Sequence, residues 1–200
     1  MKKIIILLMM CLPVTVMAQN TWELPETESG EKTNPDAKYL AGAVPVVDGK
    51  VTFEATIEAP GKTAKQIYDI MLEYLRGMTK EENQFEQSRI AIADSVENEI
   101  VASYMEWLVF KDKALVLDRT RFAYTVVAQC SDGVLKARIY RIYYIYDENQ
   151  PQVYKAEDWI TDEYGLKKNK EKLSRVSGRF RRKTIDRKDY LFNKFASLLK

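Results

Sequence analysis

The stretch from 99 to 146 constrains this chain more than any other part of it. Residues 117–130 and 134–146 alternate apolar and polar side chains on either side of Ser131-Asp132-Gly133, a tight-turn sequence whose glycine tolerates a positive φ. Two arms of that length form a long antiparallel hairpin, and each of its faces must be either wetted or covered. Phe122, Tyr124, Val126, Ala128 and Cys130 fall on one face of the first arm and mark it as core. In the second arm, strict alternation puts Leu135, Ala137, Ile139, Arg141, Tyr143 and Ile145 on one face. Lys136, Arg138, Tyr140, Ile142, Tyr144 and Tyr146 take the other. The end of this arm is apolar or aromatic on both sides. Its tyrosine side therefore needs a cover, for which Trp159, Ile160 and Leu166 are the candidates. A run at 99–110 is apolar on both faces and predicts a central strand. Glu106 inside it then requires a partner, because a covered carboxylate is costly alone.

The same periodicities place the remaining elements. Asp48-Gly49 joins 44–47 to 51–57 as a hairpin, and Val51, Phe53, Ala55 and Ile57 form the dry face of its second arm. Thr63 opens a helix, with Gln66 placed to complete a capping box. Ile67, Met71, Tyr74, Leu75 and Met78 recur at helical spacing through residue 78. A short strand signal follows at 89–93. Leu191, Phe195 and Leu198 form the buried stripe of a final helix that Asp186 can cap. The expected fold is one α+β domain over 44–200, a curved antiparallel sheet packed under two helices in β-α-β-β-β-β-α order. Residues 147–185 read as a basic extension before the last helix. Residues 19–43, polar and carrying Pro25, Gly30 and Pro35, read as a flexible leader.

The N-terminus predicts export. Met1-Lys2-Lys3, the apolar run 4–12 and Val16-Met17-Ala18 have the layout of a signal peptide over 1–18. That run is too short to cross a ~30 Å hydrocarbon layer. Met9-Met10 before Cys11 lacks the small residue that lipoprotein processing needs, so secretion without a lipid is expected, to the periplasm or in association with the outer membrane. The rest of the chain holds no apolar stretch of spanning length. Cys130 is then the one remaining cysteine and reads as a small buried core residue. Histidine is absent from the sequence, which removes the commonest general base and the commonest metal ligand. Gly-rich phosphate loops and calcium-loop spacing are absent too, so neither a metal nor a cofactor is expected.

Glu106-Trp107-Leu108-Val109-Phe110, Asp118-Arg119-Thr120-Arg121-Phe122, Ala156-Glu157-Asp158-Trp159-Ile160-Thr161-Asp162 and Arg181-Arg182-Lys183-Thr184-Ile185-Asp186 occur in order. With the signal peptide and the Asp-Gly hairpin, they resemble an exported bacterial family of unknown function, common in Bacteroidetes, whose fold is like that of the TATA-binding protein. The resemblance covers roughly 44–190 and implies the β-α-β-β-β-β-α order reached above. It implies no catalytic residues, and a fold name by itself implies no nucleic-acid function.

Three residue groups are candidates for chemistry. Residues 161–200 carry net +8 against net −8 for 19–160. Within the basic part Arg175, Arg179, Arg181, Arg182 and Lys183 are candidate contacts to an anionic lipid, a glycan or an acidic envelope protein, or else partners of the acidic part of the same chain. Nucleic acid is not expected there, since Phe180 is the only aromatic residue among them. Glu106, Asp118, Arg119, Arg121, Glu157 and Asp158 lie near Trp107 and Trp159. They suit a structural ion-pair group better than a carboxylate-dependent glycan hydrolase. Tyr140, Tyr144, Tyr146 and Trp159 are candidate lining for an apolar or amphipathic ligand. The expectation is a non-catalytic envelope protein that binds a partner through the basic part or an exposed sheet edge, with a small-ligand carrier as the alternative.

Overall fold

The structure is a computed structural model that describes residues 34–113, 116–146 and 151–200. The side chains of 111–117, the predicted signal peptide and leader residues 19–33 lie outside the described residues. Strands β1 (Val46–Val47) and β2 (Lys50–Val51) form a two-stranded hairpin across Asp48-Gly49, both at positive φ. The chain breaks at Thr52, whose N–H donates to the Pro45 carbonyl, and re-enters as β3 (Phe53–Glu58). The hairpin therefore stays off the main sheet. Helix α1 (Ala64–Met78) follows, and the Thr63–Gln66 capping box that the sequence predicts closes its N-terminus.

Strands β4 (Arg89–Asp94), β5 (Glu99–Lys113), β6 (Val116–Ser131) and β7 (Val134–Tyr146) run antiparallel. A short β8 (Gln152–Lys155) pairs with the end of β7. The main sheet is ordered β3-β7-β6-β5-β4, with β8 on β7 as well. β3 borders β7 along 134–139 and β8 borders it along 143–146. Residues 140–142 lie between these two pairings.

Both helices cover one face. Ile67, Met71 and Leu75 of α1 join Ile100, Tyr104, Phe122, Tyr124 and their alternates in a single core, and Cys130 is buried in it. The final helix, α2 (Ser177–Leu198), brings Phe180, Ile185, Leu191 and Phe195 to that core. It begins at Ser177, well before Asp186, so the expected basic extension over 147–185 is corrected. That stretch contains β8, a 3-10 turn (Ala156–Asp158), a loop and the first turns of α2. The first turns are basic because their buried side carries Arg181, Thr184 and Arg187, a polar pattern that hydropathy does not read as a helix face.

The flexible leader is corrected over its last ten residues. Residues 34–43 contain a 3-10 turn (Ala37–Tyr39), and Tyr39 is buried against the core. Tyr39 Oη donates to Asp186 at 2.7 Å, and the Gly42 N–H donates to Asp162 at 2.8 Å.

Candidate functional site

The basic residues singled out in the sequence mostly face inward. Arg181 is fully buried. Its Nε donates to the Tyr39 carbonyl, its Nη1 to the Ile160 carbonyl, and its Nη2 to the Leu40 carbonyl and to Asp162, all within 2.6–2.7 Å. Burial pulls its pKa down and the Asp162 carboxylate works against that. Arg179 pairs with Asp118, and Arg182 with Asp36. Arg179, Arg181 and Arg182 therefore close the fold instead of facing a partner. Lys183 follows them on α2, half-buried and in contact with the protein. Arg175 alone of the five stands exposed, next to the lysine loop 167–172.

The tyrosine pocket is corrected as well. Tyr144 is buried between Phe122 and Phe180, with ring centroids 5.5 and 5.1 Å away, and its hydroxyl meets that of Thr184. Tyr146 packs on Phe110 and Phe180, donates to Asp118 and accepts from Arg179. Trp159 stacks on Tyr154 and meets Phe180 edge-on. Phe180 thus fills the space that a ligand would need. Between sheet and α2, a cavity of about 10 Å³ beside Phe53, Tyr124 and Leu191 has room for about one water at most. Tyr140 sits on the opposite face of the sheet.

The carboxylates do not converge on a cleft. Glu106 is buried and accepts from Arg187 Nε at 2.7 Å and Nη2 at 2.8 Å. Gln84, Asn83 and Tyr124 donate to its remaining lone pairs. That is a fully satisfied ion pair inside the core. Glu157 instead accepts from the Val51 N–H and ties the β1–β2 hairpin to the 3-10 turn. An open groove of about 660 Å³ runs beside that hairpin, between Val46, Gly49, Glu157, Glu163 and Lys170. Glu106 is not among its walls.

The face of the sheet away from the helices is where sequence reasoning missed most. Ile92, Val101, Val127 and Arg138 cross it in register, and Met105, Ala123 and Tyr143 form a parallel row. Trp107, Arg121, Ile145 and Val153 make a third, with Val153 63% exposed at the β8 edge. Arg119 lies over the Trp107 ring at 3.6 Å, and Arg121 reaches the rings of Phe85 and Trp107. Arg138 and Arg141 both lie over Tyr140. Among the described residues Arg121, Arg138 and Arg141 have ring contacts and no ion pair, in contrast to the arginines of α2. Their signal was present as cations two apart on one strand face, at Arg119 and Arg121 and at Lys136 and Arg138. A two-sided strand pattern, however, does not say which side the helices take.

The comparisons with known proteins agree with this architecture. Residues 53–145 match a domain of unknown function (DUF4468) with TBP-like fold. A crystal structure of a DUF4468 family protein from Bacteroides ovatus ATCC 8483 is 40% identical, covers 84% of this chain and 96% of its own, and superposes with a TM-score of 0.77. The chain belongs to the DUF4468 family. A TBP-like protein from Parabacteroides distasonis ATCC 8503, 18% identical, covers 78% of this chain and 96% of its own at a TM-score of 0.61, and shares the fold. No curated protein matches the sequence. Among the described residues no group of side chains has the makings of a metal site, and no helix is long and apolar enough to cross a membrane.

Proposed function

We propose that this DUF4468 protein is exported and works in the cell envelope as a non-catalytic binding protein, presenting the helix-free face of its sheet to an anionic partner. The observation that carries this reading is the division of the arginines. Arg179, Arg181, Arg182 and Arg187 are neutralised by acids of the same chain, whereas Arg121, Arg138 and Arg141 meet no acid among the described residues. These three stand beside exposed and half-exposed apolar side chains, a combination that marks contact surfaces. Export rests on the basic start and short apolar run at 1–18.

Host-cell fractionation followed by in-cell photocrosslinking from position 143 tests both halves. The expected result is a protein that starts at Gln19 in the envelope fraction and yields a discrete crosslinked species. That species should disappear when Arg121, Arg138 and Arg141 are all changed to Gln. A chain kept in the cytoplasm with Lys2-Lys3 intact, or a crosslink indifferent to the three substitutions in a folded protein, overturns the reading.

A further inference from the structure

β7 carries one residue more than β6 between the pairs Thr125–Tyr140 and Ala123–Tyr143. Arg141 absorbs the extra residue at φ 54°, in the left-handed region that side chains other than Gly, Asn and Asp rarely adopt. Bulges of this kind re-aim side chains and occur at sites of function more often than elsewhere. Here the bulge lies at the gap between β3 and β8, where residues 140–142 have no strand neighbour on the outer edge of β7 among the described residues.

Its effect is to gather charge. The Arg138 guanidinium stands 5.0 Å from the centroid of the Tyr140 ring, and the Arg141 guanidinium 5.3 Å from the same centroid. Two cations thus share one ring, and neither has an ion pair among the described residues. Glu54 lies across from Arg138 in register and does not pair with it. The Tyr140 hydroxyl is also without a hydrogen-bond partner among the described residues. Glu54 stays outside ion-pair distance of Arg138, so the two guanidiniums on one ring keep an excess of positive charge that a bound anion would relieve.

We propose that Arg138, Tyr140 and Arg141 form a binding site for a phosphate monoester. The shared ring positions both guanidiniums, and an N–H edge turned away from it is open to a bidentate contact with an oxyanion. Two such forks and a phenol O–H match the three terminal oxygens of a phosphate monoester. A carboxylate, with two oxygens, would fill one fork and leave the other without an acceptor. This site rests on the reading of the helix-free face as the binding surface and gives that surface a ligand class.

The test follows the arginine Nε–H resonances by NMR while inorganic phosphate is added, with acetate at equal ionic strength as the control. Saturable shifts at Arg138 and Arg141 are expected with phosphate and not with acetate. The double variant Arg138→Gln/Arg141→Gln should weaken binding by at least about tenfold, and Arg141→Lys, which keeps the charge and loses the fork, by several-fold. Unchanged melting of these variants separates loss of the site from loss of the fold. Vesicles of phosphatidylcholine with and without phosphatidic acid then distinguish sources. Preference for the phosphatidic acid vesicles over free phosphate assigns a lipid headgroup, and the reverse assigns a soluble ester. Equal response to phosphate and acetate, or full binding by the double variant, overturns the proposal. If crosslinking still depends on Arg121 in that case, the envelope-binding reading survives without this site.

Discussion

Glu106 and Arg187 are both buried, and neither is tolerable without the other. Glu106→Ala strands a guanidinium among apolar side chains and is expected to cost about 3–5 kcal/mol. Replacing the pair, Glu106→Leu with Arg187→Met, should recover most of that loss, though Gln84, Asn83 and Tyr124 lose an acceptor. Urea denaturation of the wild type and both variants gives the order. A single variant as stable as the wild type would mean that water reaches Arg187. The reverse sign is expected at Arg141, whose left-handed backbone suits glycine better than arginine. Arg141→Gly should raise stability by about 0.5–1 kcal/mol while weakening phosphate binding, a trade of stability for function. A stability gain with binding intact would reduce the bulge to a local irregularity of packing. Burial pushes the Cys130 thiol up to about 12. The reactive thiolate is therefore scarce at pH 8, and iodoacetamide should label Cys130 in urea and spare it in the native protein. Rapid native labelling would show that the end of the β6–β7 hairpin opens.

Elements whose buried side is purely apolar were legible in the sequence, and those that bury charge were not. The Asp-Gly turns, the capping box of α1, the core face of β6 and the Leu191–Phe195 stripe of α2 all follow from period and turn chemistry. The first turns of α2 do not, because Arg181, Thr184 and Arg187 occupy its buried side and their acids lie far away in sequence. The face assignment of β7 fails at the bulge for a related reason. Alternation shifts phase at Arg141, so Ile142 and Tyr144 are buried along with Leu135, Ala137 and Ile139, and Tyr140 parts from Tyr144. No Gly or Asn marked the change. That single shift turned a predicted pocket into packed core and moved the candidate site to the other face. The weight carried by the unpredicted part of α2 can be measured at Phe180, which contacts Phe110, Tyr144, Tyr146 and Trp159. Phe180→Ala should cost about 3–5 kcal/mol in a denaturant titration. A loss below about 1 kcal/mol would mean that these turns of α2 fray from the sheet in solution.

Across the whole molecule, the split between an acidic body and a basic C-terminal part works as an internal fastening. Asp36, Glu106 and Asp118 come from three separate regions of the acidic body and Asp162 from the start of the basic part, and each meets an arginine of α2. The N-terminal contribution is the strap 34–43, whose Tyr39 and Leu40 carbonyls accept from Arg181 and whose Lys38 pairs with Asp186. Arg181 is fastened from both sides. Gly165 lies against its stem, where an added Cβ would come within 2.8 Å of both Arg181 Cδ and the Ile160 carbonyl. A chain that lacks only 1–33 keeps the strap and is the reference for the measurement. Removing 1–43 takes away two of the four acceptors of a buried guanidinium together with the buried Tyr39 ring. It should cost at least about 3 kcal/mol, which for a chain of this size lowers the midpoint by roughly 6–12 °C. The double change Arg181→Met with removal of 1–43 should be less harmful than the truncation alone, because no bare guanidinium remains. Equal melting of the two truncated chains would mean that water satisfies Arg181 as well as the strap does. The strap would then be a tether that leads away from the domain, and not a part of its core.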